Sequence, residues 1–203
     1  KNQIGDRVAQ NIGLGLSNCT QLTNLDFRIG VNQIGDDGAS TIGIALGNCK
    51  FLTNLTFDIS KNQIGDRGAQ NIGLGLSKIT QLTNLDFRIG ENQIGDDGAS
   101  TIGIVLSNCK FLSSLTFDIS KNQIGDKAVQ NIGLCLSKCS QLKNLTFITE
   151  NYEEFFKLSE IINCKNIKLL KLIIKQFPQQ RKTEIKRLAQ KIKRLVKLNV
   201  DED

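Results

Sequence analysis

The chain has 203 residues, 39% of them hydrophobic and 23% charged, and carries a formal net charge of +6. It has no His, Met or Trp, one Tyr and one Pro, which removes the commonest general base, the Ser-His and Cys-His dyads and the usual zinc sites. No apolar run approaches the roughly 18 residues needed to cross a bilayer, and the chain opens at Lys1 without a methionine or leader-like segment, which reads as a piece of something longer.

Residues 1–60 laid over residues 61–120 give 52 identities and eight differences, so the first two-thirds of the chain is one 60-residue unit written twice. Inside each unit a 30-residue period is visible in the strings LTNLDF at 22–27, LTNLTF at 52–57, LTNLDF at 82–87, LSSLTF at 112–117 and LKNLTF at 142–147. IKLLKL at 167–172 and LVKLNV at 195–200 keep the same apolar spacing after shorter steps. Seven strands are predicted.

Each period has two halves. In the strand half Leu25, Phe27 and Ile29 point one way and Asn24, Asp26 and Arg28 the other. In the other half, from Asp36 to Asn48, Ala39, Ile42 and Leu46 recur at helical spacing and make one buried stripe. Asp36 stands where an N-cap belongs, and Asp6, Asp66, Asp96 and Asp126 share its phase; each is expected to accept from the free amides of its own helix. Gly13, Gly43, Gly73, Gly103 and Gly133 fall within helices, where close approach of the neighbouring helix is the expected compensation for their poor propensity. Stacked repeats bury a continuous core between a parallel sheet and a helical layer. Strands stand about 4.8 Å apart and helices roughly 8–10 Å, so the stack curves with its strands inside.

The string LxxLxF followed by NxIGDxGA and a short helix, as in LTNLDFRIGVNQIGDDGASTIGIALGNCKF, resembles a leucine-rich repeat of the ribonuclease-inhibitor type. The resemblance covers residues 1–147 well and 148–203 in outline. It implies a right-handed α/β solenoid, a horseshoe arc with its parallel sheet concave and its helices convex. It also implies that Asn32, Asn62, Asn92 and Asn122 hydrogen-bond the loop backbone after each strand. In one respect the sequence departs from the family: four residues rather than two separate Phe27 from Asn32, which predicts a longer strand or a bulge there. The domain reading is regular repeats over 1–147, the first truncated, and a divergent, basic C-terminal cap over 148–203.

Two motifs carry no chemistry. GLGLS at 13–17 and 73–77 lacks the third glycine of a phosphate loop and lies inside a helix. GDDG at 35–38 lacks the acidic residue that closes a calcium loop. Catalytic, metal and cofactor sites are therefore all read as absent, and the chain as non-enzymatic.

Cys19, Cys49, Cys109 and Cys139 share one phase with Ile79, and Cys164 continues it, which marks an apolar slot filled by free thiols. Disulfides across the stack are disfavoured by the helix spacing, and Cys135 with Cys139 pair only with distortion. That leans towards a reducing, intracellular and cytoplasmic compartment. Sequons at Asn18, Asn54 and Asn144 matter only in a secreted chain.

The charge is unevenly spread: residues 1–164 sum to −2, residues 165–198 to +11 and the last three residues to −3. Much of the excess lies on a basic amphipathic helix predicted over 183–195, whose stripe is Ile185, Leu188, Ala189 and Ile192. No aromatic interleaving supports a base-stacking platform, which argues against nucleic acid.

Strand phasing gives three outward rows across the sheet. They read Asn24, Asn54, Asn84, Ser114, Asn144, Leu169, Lys197; then Asp26, Thr56, Asp86, Thr116, Thr146, Lys171, Asn199; then Arg28, Asp58, Arg88, Asp118, Ile148, Ile173, Asp201. In the third row opposite charges are expected to pair across strands. Further along, Ile148, Leu169 and Ile173, rimmed by Lys143, Lys168, Lys171 and Lys197, form a candidate apolar patch, with folding of Tyr152, Phe155 and Phe156 over it as the alternative.

The function implied by the resemblance is recognition of a protein partner on the concave face. The candidate residues are Asn84, Asp86, Arg88, Thr116, Asp118, Asn144, Thr146, Ile148, Leu169, Lys171, Ile173 and Lys197. The alternatives are an anion-binding module working through the basic segment and a purely structural or antigenic array. Self-association through the open edge of the strand at 22–27 is a further expectation.

Overall fold

A computed structural model of the chain describes residues 2–151, 166–176 and 195–200. Among them five helices alternate with the first five of seven strands. The helices are α1 (Asp6–Leu16), α2 (Asp36–Leu46), α3 (Asp66–Leu76), α4 (Asp96–Ser107) and α5 (Asp126–Ser137). The strands are β1 (Asn24–Arg28), β2 (Asn54–Asp58), β3 (Asn84–Arg88), β4 (Ser114–Asp118), β5 (Asn144–Asn151), β6 (Leu169–Gln176) and β7 (Leu195–Val200). All seven predicted strands form, in one parallel sheet whose spatial order is their chain order. The architecture is an α/β solenoid with the sheet on one side and the helices on the other.

The alternating strand pattern does what its period requires. Leu55, Leu85, Leu115 and Leu145 and the column Phe57, Phe87, Phe117 and Phe147 are buried, whereas Leu25 and Phe27, on the outermost strand, are half-buried. Successive Phe rings stand 5.6–6.0 Å apart, already wider than the ~4.8 Å between strands, as a stack that opens towards its helices demands. From the helical side Ile42, Ile72, Ile102 and Ile132 close the core at 0% exposure.

The helical glycines are explained by contact. A Cβ on Gly43 would stand 2.7 Å from the Asn71 carbonyl oxygen and the Ile72 backbone, and one on Gly75 would run into the Gly43 carbonyl, so α2 and α3 touch backbone to backbone. Gly73 is looser, with its nearest neighbour at 3.5 Å.

The aspartates correct the sequence reading. Helices begin at Asp6, Asp36, Asp66, Asp96 and Asp126 themselves, the N-cap residue is the preceding Gly, and no side chain caps its own helix. The carboxylates of Asp6, Asp36, Asp66 and Asp96 instead cap the helix of the next repeat. Asp6 Oδ1 accepts from the amides of Gly35 and Gly38, Asp36 Oδ1 from Gly65 and Gly68, and Asp66 Oδ1 from Gly95 and Gly98, at 2.7–3.0 Å. A Cβ on Gly38 would lie 2.7 Å from Asp6 Oδ1, which is why the double bond occurs where that position is Gly. Asp96 accepts from Gly125 alone, Ala128 standing in the third phase.

The asparagine ladder forms as the resemblance implied. Asn62 donates through Nδ2 to the carbonyls of Ile29, Ile59 and Ser60 and accepts through Oδ1 from the amide of Ile34, bridging two repeats. Asn92 repeats the pattern one turn on. The four-residue spacer before it is neither a longer strand nor a bulge in β1 to β4. Its last residue (Val31, Lys61, Glu91, Lys121) turns the chain with φ of 53–61°, while Ile29 and its equivalents stay buried and keep bonding to the next repeat.

Candidate functional site

The face of the sheet opposite the helices is the candidate surface. Strand register places its side chains in columns: Asn24, Asn54, Asn84, Ser114, Asn144 and Leu169; Asp26, Thr56, Asp86, Thr116, Thr146 and Lys171; Arg28, Asp58, Arg88, Asp118, Ile148 and Ile173. The three predicted rows therefore stand as far as β6. At β7 they do not. β7 pairs two residues out of the predicted register, so Lys197 lies beside Lys171 and Asn199 beside Ile173, and a one-residue irregularity falls between Leu170 and Lys171. A two-residue shift keeps the pleat's parity, which is why the strand still continues the sheet. Asp201, Cys164, Tyr152, Phe155, Phe156 and the helix predicted over 183–195 lie outside the described residues, except Leu195, which opens β7.

The columns are held in place by their own hydrogen bonds. Asn54 Nδ2 donates to Asn24 Oδ1 and Asn84 Nδ2 to Asn54 Oδ1, each at 2.6 Å, forming a side-chain amide ladder across three strands. Sequence reasoning saw the row but not the ladder; identical amides at strict 30-residue spacing were the available signal.

In the charged row the expected cross-strand ion pairs give way to pairs within one strand. Arg28 Nε and Nη2 donate to the two oxygens of Asp26 at 2.8 and 3.2 Å, and Arg88 grips Asp86 with both contacts at 2.8 Å. Asp58 Oδ1 accepts from the amide and the hydroxyl of Ser60, and Asp118 does the same with Ser120. The planar guanidinium reaches two residues back along its own face and meets a carboxylate in fork geometry, which a single point contact across the ladder does not match. The hydrogen bond that Arg88 donates to Asp86 raises the Arg88 pKa above its ordinary value against partial desolvation, and Asp86, Asp58 and Asp118 add Coulombic attraction.

Of the twelve candidate residues, Asn84, Asn144 and Leu169 are exposed, and Asp86, Arg88, Thr116, Thr146, Lys171 and Ile173 are half-buried. Asp118 and Ile148 are buried, at 6% and 8% exposure. Lys197 is placed by register alone. Ile148 thus offers little surface, and the apolar part of the face reduces to Leu169, 38% exposed, with Ile173 beside exposed Lys143 and Lys168. Around β1 to β4 the face dips into a shallow depression over Leu25, Leu55 and Leu85, walled by Asn24, Asn54, Asn84, Asp26 and Asp86.

The cysteine slot is apolar as expected. Cys49, Cys109 and Cys139 are buried with Ile79, Cys19 is exposed and Cys135 intermediate, and none of these five is in a disulfide. Burial pushes the Cys109 thiol up to about 11 and that of Cys49 upward as well, with Cys19 adding to the latter. Among the described residues no helix is long and apolar enough to cross a membrane.

A family model described as Leucine Rich repeat matches residues 51–73, 83–103 and 112–133. A search of the curated proteins finds no match. Among solved structures the chain is similar to leiomodin-1 actin-binding site 2, with a TM-score of 0.57 and 16% identity over 89% of this chain and 96% of that one. At that identity the likeness is one of fold. Matched in three of its periods and stacked in the fold those periods predict, the chain carries leucine-rich repeats.

Proposed function

We propose that the chain is a non-catalytic scaffold that binds a protein partner on the outward face of its sheet, as the ribonuclease-inhibitor type of repeat would imply. The observation that carries the reading is the fixing of that face before any partner arrives. The amide ladder and the two Arg–Asp forks hold their side chains in registered columns, so docking loses less side-chain entropy, of order 0.5–1.5 kcal/mol for each long side chain already immobilised. The similar structure named above is by its description an actin-binding segment, which agrees with a protein-binding use of the fold. The docking residues are Asn84, Asp86, Arg88, Thr116, Asn144 and Thr146, continuing into Leu169, Lys171, Ile173 and Lys197. The divergent stretch 148–203 acts as a basic cap.

Affinity capture with the intact chain tests this, run beside a Thr116→Arg/Thr146→Arg variant. Both threonines are half-buried on the outward face, and two long cations there obstruct docking without entering the core. Proteins retained by the parent and lost by the variant are the expected result. An unchanged set refutes the reading, and a set lost from both chains at high salt moves the function to the basic segment.

A further inference from the structure

Each described helix turns a bulky aliphatic side chain outward at one shared phase, and α1 also exposes Val8. Leu14, Ile44, Leu74, Ile104 and Leu134 are 44–61% exposed and recur at every thirtieth residue. Each follows a core isoleucine by two positions, about 200° around the helix, so none belongs to the buried stripe. Scattered exposed aliphatics are ordinary; five in register on adjacent helices make a line. With helices 8–10 Å apart the line is about 40 Å long, and Phe51 and Phe111, 46% and 59% exposed, follow α2 and α4 in the chain. The area is on the order of 500 Å², the size at which a surface patch on a monomer is often functional.

The two flanks of the line differ in charge. Towards the helix N-termini Arg7, Asp37, Arg67, Asp97 and Lys127 alternate in sign, and Arg67 pairs with Asp37 at 2.6 Å. On the C-terminal flank the charges are Lys50, Lys78, Lys110 and Lys138, all exposed, with no acidic residue between each helix and the strand that follows.

We propose that this line is a second docking surface, and that its occupant is an amphipathic α-helix of a protein partner with acidic residues on the side facing the lysines. A helix advances about 10.5 Å in seven residues, close to the step between the helices of the solenoid, so one aliphatic residue per heptad meets each gap along the line. An extended peptide covers the same step in about three residues, which turns alternate anchors away. An anionic membrane is the poorer fit, because a flat surface that covers the line also meets Asp37 and Asp97, whereas a single helix is narrow enough to leave them in water. A second copy of the chain brings no uniformly acidic flank. The area lies below the ~800 Å² per partner of a standard interface, so the complex is weak and reversible.

The test is fluorescence anisotropy with a labelled synthetic helix of about 28 residues, with Leu and Ile at heptad spacing and Glu on both flanks. A twin peptide with Lys at every Glu and vesicles of phosphatidylserine with phosphatidylcholine are the comparisons. The acidic peptide is expected to bind in the range of tens of micromolar and the basic twin at least about tenfold more weakly. Leu74→Ser/Ile104→Ser should weaken the acidic peptide about tenfold or more, with circular dichroism and the thermal midpoint confirming the fold. Lys78→Glu/Lys138→Glu leaves two lysines against two glutamates on this flank and should remove the preference for the acidic peptide, and Thr116→Arg/Thr146→Arg on the sheet face should change the binding of neither peptide. The proposal is overturned by no binding of the acidic peptide at about 1 mM, by equal binding of both peptides, by a serine variant that binds as the parent does, or by vesicles bound in preference.

Discussion

Two identical stretches, QNIGLGLS at 10–17 and 70–77, place the same glycine in opposite surroundings. A Cβ added to Gly15 meets nothing within 4 Å, whereas one added to Gly75 strikes the carbonyl of Gly43. Gly15→Ala therefore gains helix propensity alone, about 0.5–1 kcal/mol. Gly75→Ala gains the same and must also separate α2 from α3. The obstacle is backbone, which no rotamer relieves, so an overpacking cost of about 1–3 kcal/mol or more applies. The net expectation is stabilisation by up to about 1 kcal/mol for Gly15→Ala, and destabilisation by about 1–2 kcal/mol, with more if the helices part fully, for Gly75→Ala. In a chain of this length 1 kcal/mol moves the thermal midpoint by roughly 2–4 °C, so the two variants should shift it in opposite directions. Urea titration gives the free energies, and hydrogen exchange across α2 and α3 localises the loss. Shifts of the same sign and similar size would refute the reasoning, because local sequence would then decide what contact is claimed to decide.

Other outcomes follow from the same contacts. Asp66→Ala should cost about 1–2 kcal/mol, with exchange accelerating at the amides of Gly95 and Gly98 in the next repeat rather than within α3; acceleration confined to α3 would contradict the cross-repeat cap. Val31→Gly should stabilise by about 1 kcal/mol, since a β-branched residue at φ 61° carries strain that glycine does not, read as a rise in the urea midpoint. Glu91→Gly at the same phase should gain less, because it also loses contacts with Lys61 at 3.2 Å and Lys121 at 3.8 Å. In thiol labelling of the native protein Cys19 should react first among the five described cysteines. Cys109, its thiol held up to about 11 by burial, should stay protected at pH 8 and gain reactivity only as the pH rises towards 11; prompt labelling at pH 8 would contradict its burial.

The strand half of each repeat was legible because a period of two inside a period of thirty leaves one choice of buried face for Leu55, Phe57 and Ile59. The helix stripe of Ala39, Ile42 and Leu46 was legible for the same kind of reason. Partner choice was not. Asp36 in an N-terminal phase is compatible with its own helix or the next one, and the side-chain-free Gly68 that admits a neighbour's carboxylate is informative only once the repeats are superposed. Arg88 likewise had Asp58, Asp86 and Asp118 within reach of its row, and fork geometry rather than spacing selected Asp86. The two-residue slip at β7 escaped because Lys197 and Asn199 have the same pleat parity in either register. Ile44 and its equivalents lie opposite the buried stripe, where an isolated apolar residue on each helix adds nothing to the helical period.

Alternation between odd and even repeats limits how such an array can change in length. The neighbours Gly43 and Gly75, and the order Arg28, Asp58, Arg88, Asp118, belong to particular joints rather than to every joint. Excising residues 31–60 would set Arg28 beside Arg88 and abut α1 on α3, whereas excising residues 31–90 would restore both the charge order and the helix fit. Recombination can thus lengthen or shorten the molecule without a faulty seam in steps of two repeats, and single-repeat slippage leaves a defect that selection can detect.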